Sequence, residues 1–136
     1  MTNNEKKITT YSDLRVYKNL YDSILIVHNE IVVKLPKEEQ YDLVSQMRRA
    51  SKAAPALIAE GFAKRFHKKH WEKYLNDAMG ETYEMLHHLT TCVDLYSNCL
   101  DVGLCKNVID DYDFACKQIT KLKKSWAEYH KNNSAK

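Results

Sequence analysis

Glu84 and His87 stand three residues apart in a helical pattern, the E-x-x-H half-motif from which di-iron helix bundles build their metal sites. The second E-x-x-H is missing. The inward stripes expected for the other helices carry no Asp or Glu, so the residues do not add up to an iron centre. His67 and His70, in HKKH, could share a metal, but the lysines between them repel cations and suit a phosphate better. Cys92, Cys99, Cys105 and Cys116 show no C-x-x-C pattern. Cys92, Cys99 and Cys116 fall on apolar stripes, where a thiol acts as a small hydrophobe. No glycine-rich phosphate loop or nucleophile elbow occurs. The reading is a chain with no catalytic residues, no metal and no cofactor.

Charge is the stronger signal. Residues 48–73 carry eight Lys or Arg against two Asp or Glu, and residues 117–136 carry six against one. Residues 74–116 reverse this, with one against eight. A net charge of only +3 therefore hides a segmental separation. Lys64, Arg65, Lys68, Lys69, Lys73, Lys123 and Lys124, with His67, His70, Phe66 and Trp71 interleaved, have the footprint of a surface for phosphate backbones. RNA and DNA present the same phosphates, so the choice between them stays open.

These residues must be positioned by helices. With 3 Gly and 2 Pro in 136 residues, turn-formers are scarce. Four stretches repeat apolar residues in steps of three and four. The first runs through Leu14, Tyr17, Tyr21, Ile24, His28, Ile31 and Leu35, with Ser12 as N-cap and Pro36 as its stop. The second follows Lys37 to Glu39 and runs through Val44, Met47, Ser51, Ala54, Ile58 and Gly61. Pro55 within it is expected to kink the helix without ending it. The third runs from Trp71 through Leu75, Ala78, Thr82, Met85, Leu89, Cys92 and Tyr96 to Cys99, with Gly103 as the terminating turn. The fourth carries Val108, Tyr112, Ala115, Ile119, Leu122, Trp126 and Tyr129.

The simplest packing is an all-α, antiparallel up-down-up-down four-helix bundle over residues 12–131, with a flexible segment at 1–11 and a disordered tail at 132–136. That topology brings the basic segments, including Lys6, Lys7, Arg15 and Lys18, to one end and the acidic residues to the other. A second apolar row, Met79, Leu86, Val93 and Leu100 on helix 3 with Leu20 and Val27 on helix 1, fits either a broad core or a subunit interface. No run of about 18 apolar residues occurs and the opening MTNNEKKITT has no apolar stretch, so a cytoplasmic protein with no membrane partner is expected.

The stretch Gln46-Met47-Arg48-Arg49-Ala50, leading through Pro55 to Ile58-Ala59-Glu60-Gly61, resembles the signature of a bacterial four-helix bundle family encoded in intervening sequences of 23S ribosomal RNA genes. Leu14-Arg15-Val16-Tyr17 and Leu35 to Tyr41 also resemble that family's pattern, and the likeness extends to about Trp126. Ala53-Ala54 and Ala56-Leu57 depart from the residues that usually flank the proline. A related branch comprises the accessory proteins of diversity-generating retroelements. The resemblance implies a homo-oligomer with a pentamer favoured, nucleic acid as partner, and in the retroelement branch a reverse transcriptase as a protein partner. Arg48, Arg49, Pro55, Ile58, Glu60 and Gly61 are then packing or interface residues. At least one of the two arginines points away from the core, and Glu60 is a candidate ion-pair partner for the basic link. The alternative to nucleic-acid binding is a protein-interaction scaffold.

Overall fold

The computed structural model describes residues 7–133, so Lys6 and most of the tail lie outside the described residues. Four helices form the bundle: α1 (Arg15–Ile26), α2 (Leu43–Phe62), α3 (Lys68–Tyr96) and α4 (Val102–Asn133). Neighbours in sequence pack side by side and α4 closes against α1. The all-α reading holds, with no strand among the described residues. α4 continues to Asn133, two residues into the expected tail.

The start of α1 differs from expectation. Ser12 is not the cap. A 3-10 turn, Tyr11–Asp13, precedes the helix, and Asp13 Oδ2 accepts the backbone N–H groups of Thr9 at 2.9 Å and Thr10 at 3.0 Å. Leu14 then takes the N-cap position with no side-chain hydrogen bond. The buried face is also rotated. Val16, Leu20, Ser23 and Val27 are buried, whereas Tyr17, Ile24 and His28 are half-buried and Tyr21 is exposed. The row taken as secondary is the core row, because aliphatic side chains bury without a polar atom to satisfy while tyrosine hydroxyls stay near water. After Ile26 the helix widens into a π segment, Val27–Ile31, closed by the Val32 amide on the Val27 carbonyl. A 3-10 turn, Val32–Lys34, follows, and Leu35 is extended ahead of Pro36.

In the α1–α2 link, Glu39 joins three elements. Its Oε1 accepts the Leu43 N–H at 3.3 Å, serving the first turn of α2, and its Oε2 accepts the Tyr96 hydroxyl from the end of α3. The expected stripe of α2 is buried throughout. α2 runs unbroken through the buried Pro55, which withholds an amide from the carbonyl of Ser51, the place where a bend is expected. The Ser51 hydroxyl donates to the Arg48 carbonyl at 3.3 Å and meets His28 Nε2 at 3.0 Å. His28 is thus a histidine satisfied by a hydrogen bond to the neighbouring helix.

On α3 the stripe from Trp71 to Cys92 is buried. Its last member, Cys99, is exposed because the helix already ends at Tyr96. Gly103 is not the terminating turn. It lies in the first turn of α4, which starts six residues before Val108, and Asp101 Oδ1 caps that turn by accepting the Leu104 N–H at 3.1 Å. Cys92, Cys105 and Cys116 are buried, and burial pushes the Cys92 thiol up to about 12. Met79, Leu86 and Val93 are half-buried against the bundle's own core, and Leu100 is buried, so the second row of α3 is core packing.

Gly61 marks the tightest contact of α2 with α3. A Cβ there would fall 2.4 Å from Tyr74 Cβ and 2.8 Å from Trp71 Cζ3. Trp71 is fully buried and cannot yield. Gly61→Ala should therefore destabilise the fold by about 1–3 kcal/mol despite alanine's better helix propensity, read as a lowered urea midpoint with an unchanged m-value.

Candidate nucleic-acid interface

The α2–α3 link and the end of α4 are bound together by aromatic packing. Phe66 meets Trp126 and Tyr129 at ring-centroid distances of 5.9 and 6.2 Å, and Trp126 stands edge-on to Trp71 at 6.3 Å. His130 is buried beside Trp126, its Nε2 hydrogen-bonded to the Arg65 carbonyl at 2.8 Å. The basic residues of the link and of α4 thereby share one end of the bundle. Asp101 and the Glu39–Tyr96 contact occupy the other.

The predicted basic residues divide by environment. Lys64, His67, Lys68, Lys69 and His70 are exposed. Lys68 and Lys69 have no ion-pair partner among the described residues, and Lys64 Nζ lies 5.4 Å from the Tyr74 ring centroid. His67 is the N-cap of α3 without a side-chain cap bond, and its ring lies 5.5 Å from that of His70. Arg65 is structural. Its Nη1 donates to the Phe62 carbonyl at 2.9 Å, and its guanidinium covers the Phe62 and Phe66 rings at 4.0 and 4.5 Å. Lys73 is neutralised by Asp77 at 2.8 Å. Lys123 is half-buried, while the exposed Lys124 lies along the α3–α4 flank in a shallow groove with Tyr83, Lys117 and Lys121. Trp71, read both as the first residue of the apolar stripe of α3 and among the aromatics interleaved with the basic residues, is in the core, as the stripe required. Tyr129, expected in the core stripe, is exposed beside Phe66.

The first turn of α3 reads Lys68, Lys69, His70, Trp71, with no acidic residue. Cations there oppose the positive end of the helix dipole, at a cost of some tenths of a kcal/mol each. In α4 only His130 and Lys131 lie in the last turn, where the dipole favours cations. Macrodipole complementarity can thus explain the end of α4 but neither Lys123 and Lys124 nor the basic residues of α3.

The signature residues of α2 have mostly packing roles. Ile58 and Pro55 are buried. Arg49 bridges α2 and α3, its Nη1 placed 3.0 and 2.9 Å from the two carboxylate oxygens of Glu81 and its Nη2 on Glu84. This occupies the Glu84 of the E-x-x-H pair, while His87 is exposed. No group of three or more metal-ligating side chains occurs among the described residues. Burial pushes the Glu84 carboxyl up, but its hydrogen bonds with Glu81 and Arg49 outweigh this and hold it below the ordinary value. Glu60 is exposed and has no ion pair among the described residues, so it does not fix the link. Arg48 points outward and, with Lys52, Ala53, Ala56 and the 95% exposed Tyr41, lines an open groove of about 620 Å³. Periodicity could not have found the Arg49 fork, which depends on how α2 and α3 align. No helix is long and apolar enough to cross a membrane among the described residues.

His28 and His88 lie below the ordinary value of 6.5, both chiefly through burial; Lys52 and Arg48 add to the shift of His28, whereas Glu84 partly offsets that of His88. The unfolded chain then takes up these protons more readily than the fold does. Their contribution to stability is complete above pH 6.5 and is lost as the pH falls through 6.5 toward the folded-state values. Urea midpoints should be lower at about pH 5 than at about pH 7.5, and His28→Gln with His88→Gln should shrink that difference.

A comparison with curated proteins gives no match. The model of the 23S rRNA-intervening sequence protein family matches residues 12–121, the greater part of the bundle. On that match, and with four packed helices carrying the signature on α2, the chain belongs to the 23S rRNA-intervening sequence protein family.

Proposed function

We propose that this protein is a non-catalytic, cytoplasmic homo-oligomer that binds RNA or DNA backbones through the basic end of the bundle. The observation that carries the reading is the first turn of α3, where Lys68 and Lys69 stand unpaired among the described residues against the helix dipole. A phosphate resolves that conflict, since it meets lysine ammonium groups and unsatisfied helix N–H donors together. The exposed Lys64, His67 and His70 widen the patch, and Lys124 and the half-buried Lys123 extend it along α4. Lys73 and Arg65 contribute less, being held by Asp77 and by the Phe62 carbonyl.

Binding to labelled RNA and DNA should be tight at low salt and fall with a slope of about 0.7–0.9 in log affinity against log salt for each phosphate contacted. Lys68→Glu with Lys69→Glu should weaken both polymers alike, whereas Asp110→Lys with Asp111→Lys should weaken neither. Affinity that survives the lysine reversals would refute the assignment.

Oligomerisation is supported by large apolar side chains left exposed along the flanks: Leu25 on α1, Tyr83 and Leu95 on α3, and Phe114 on α4. The half-buried row of α3 does not add to this, because it packs internally. Light scattering should give a mass several times 15.9 kDa, with five subunits favoured. A monomer throughout the micromolar range would overturn it.

A second reading, a scaffold for an acidic protein such as a reverse-transcriptase partner, is favoured by the Arg48–Lys52–Tyr41 groove, which lies on the outer face of α2. Charge reversal at Arg48 and Lys52 would abolish that contact and leave polynucleotide affinity at the basic end intact.

A further inference from the structure

We infer that the basic end takes single-stranded rather than duplex nucleic acid, stacking an unpaired base on the aromatic corner made by Phe66 and Tyr129. The inference rests on the nucleic-acid reading above and specifies the class of strand. Phe66 is 62% exposed and Tyr129 41% exposed, on a molecule whose neighbouring rings, Phe62 and Trp71, are buried. Exposing two large rings to water is unfavourable, and here they are not loose side chains. Phe66 is held by Arg65 at 4.5 Å and by Trp126 at 5.9 Å, and Tyr129 by Trp126 at 4.9 Å and the buried His130 at 5.7 Å.

Rigid, exposed rings are suited to stacking because little side-chain freedom remains to be lost on binding. Their centroids lie 6.2 Å apart with the planes tilted by 56°, which forms a corner for one splayed base rather than a slot between parallel plates. Phe66 adjoins the phosphate-binding lysines in sequence, with Lys64 two residues before it and Lys68 two residues after. Aromatic surface set beside cations is the combination that single strands use, base on ring and phosphate on lysine. A duplex keeps its base faces stacked inside the helix, so it could use the lysines and not the rings.

The test measures anisotropy of labelled oligouridylate and of an RNA duplex of equal length against the full chain. Phe66→Leu keeps apolar bulk and removes the ring; Phe66→Trp restores an aromatic face. The position is exposed, so neither change threatens the core. Phe66→Leu should weaken oligouridylate binding about 5-fold or more while leaving the duplex unchanged, and Phe66→Trp should bind like the parent. Equal loss on both polymers, or loss on neither, overturns the stacking inference while leaving the lysine assignment standing. Should Phe66→Leu instead lower the oligomer mass without changing oligouridylate affinity, the ring is covered by a second copy and the inference fails. Absence of binding by the parent to both polymers would overturn the nucleic-acid reading itself, an outcome distinct from a parent that binds but is unchanged by Phe66→Leu.

Discussion

The approach of α2 to α3 at Gly61, with Trp71 buried against it, sets the geometry on which the basic end depends. Because a methyl group at position 61 would fall 2.4 Å from Tyr74 Cβ, the two helices meet at a distance that only glycine permits. The close contact lets Trp71 fill the end of the core, with Phe62 at 6.3 Å and Trp126 of α4 at 6.3 Å on its edges. With that tryptophan in place the link between residues 63 and 67 has no room to fold inward. Its side chains are displayed outward, apart from Arg65, which turns back to the Phe62 carbonyl.

Electrostatics at this end work against local stability. A helix start normally collects Asp and Glu, and α3 collects Lys68, Lys69 and His70. The same chain places Asp101 at the start of α4, and Asp13, the last residue of the turn before α1, reaches back to cap that turn's start, so it does not lack the means to cap a helix. α1 likewise starts without an acid or a side-chain cap bond and with Arg15 in its first turn, but α3 concentrates two lysines and a histidine there. Three other cations are matched: Arg49 forks to Glu81 and Glu84, Lys73 meets Asp77, and Lys117 meets Asp113 at 3.4 Å.

The stripes of α2 and α3 could be read from the sequence because each has one dominant apolar row, and α2's small residues leave no competing one. α1 could not, since two rows about 100° apart both look apolar when tyrosine counts as hydrophobic. The choice between Leu20 with Val27 and Tyr17 with Tyr21 is made by hydroxyl solvation and by the π segment, neither of which a period of 3.6 contains. Gly103 misled because a glycine near a helix boundary reads as a stop. The actual boundary lies at Tyr96, and Asp101 is the true punctuation. For the site, segmental charge located the basic end but could not separate free cations from committed ones. Lys73 is committed to Asp77 by an i,i+4 pair whose spacing the sequence already offered, whereas Arg65 is committed by turning back from the link to the Phe62 carbonyl, which no spacing contains.

That separation also shows how one short link could serve stability and, on the proposed reading, binding. Arg65 spends its charge inward, closing the carbonyl end of α2 and bracing Phe66 from one side, while the His130 ring secures the Arg65 carbonyl from α4. The link is therefore anchored at its middle residue from two helices. Lys64 and Lys68 flank that anchor with no ion-pair partner among the described residues, so a bound phosphate would meet cations whose backbone is already fixed. Ordering costs on binding are then confined to lysine side chains, roughly 0.5–1.5 kcal/mol for each one immobilised, rather than to the loop that carries them. On the proposed reading such an end would favour a ligand that is itself repetitive and charged, because each added phosphate would meet another lysine on an already fixed backbone without asking the fold to move.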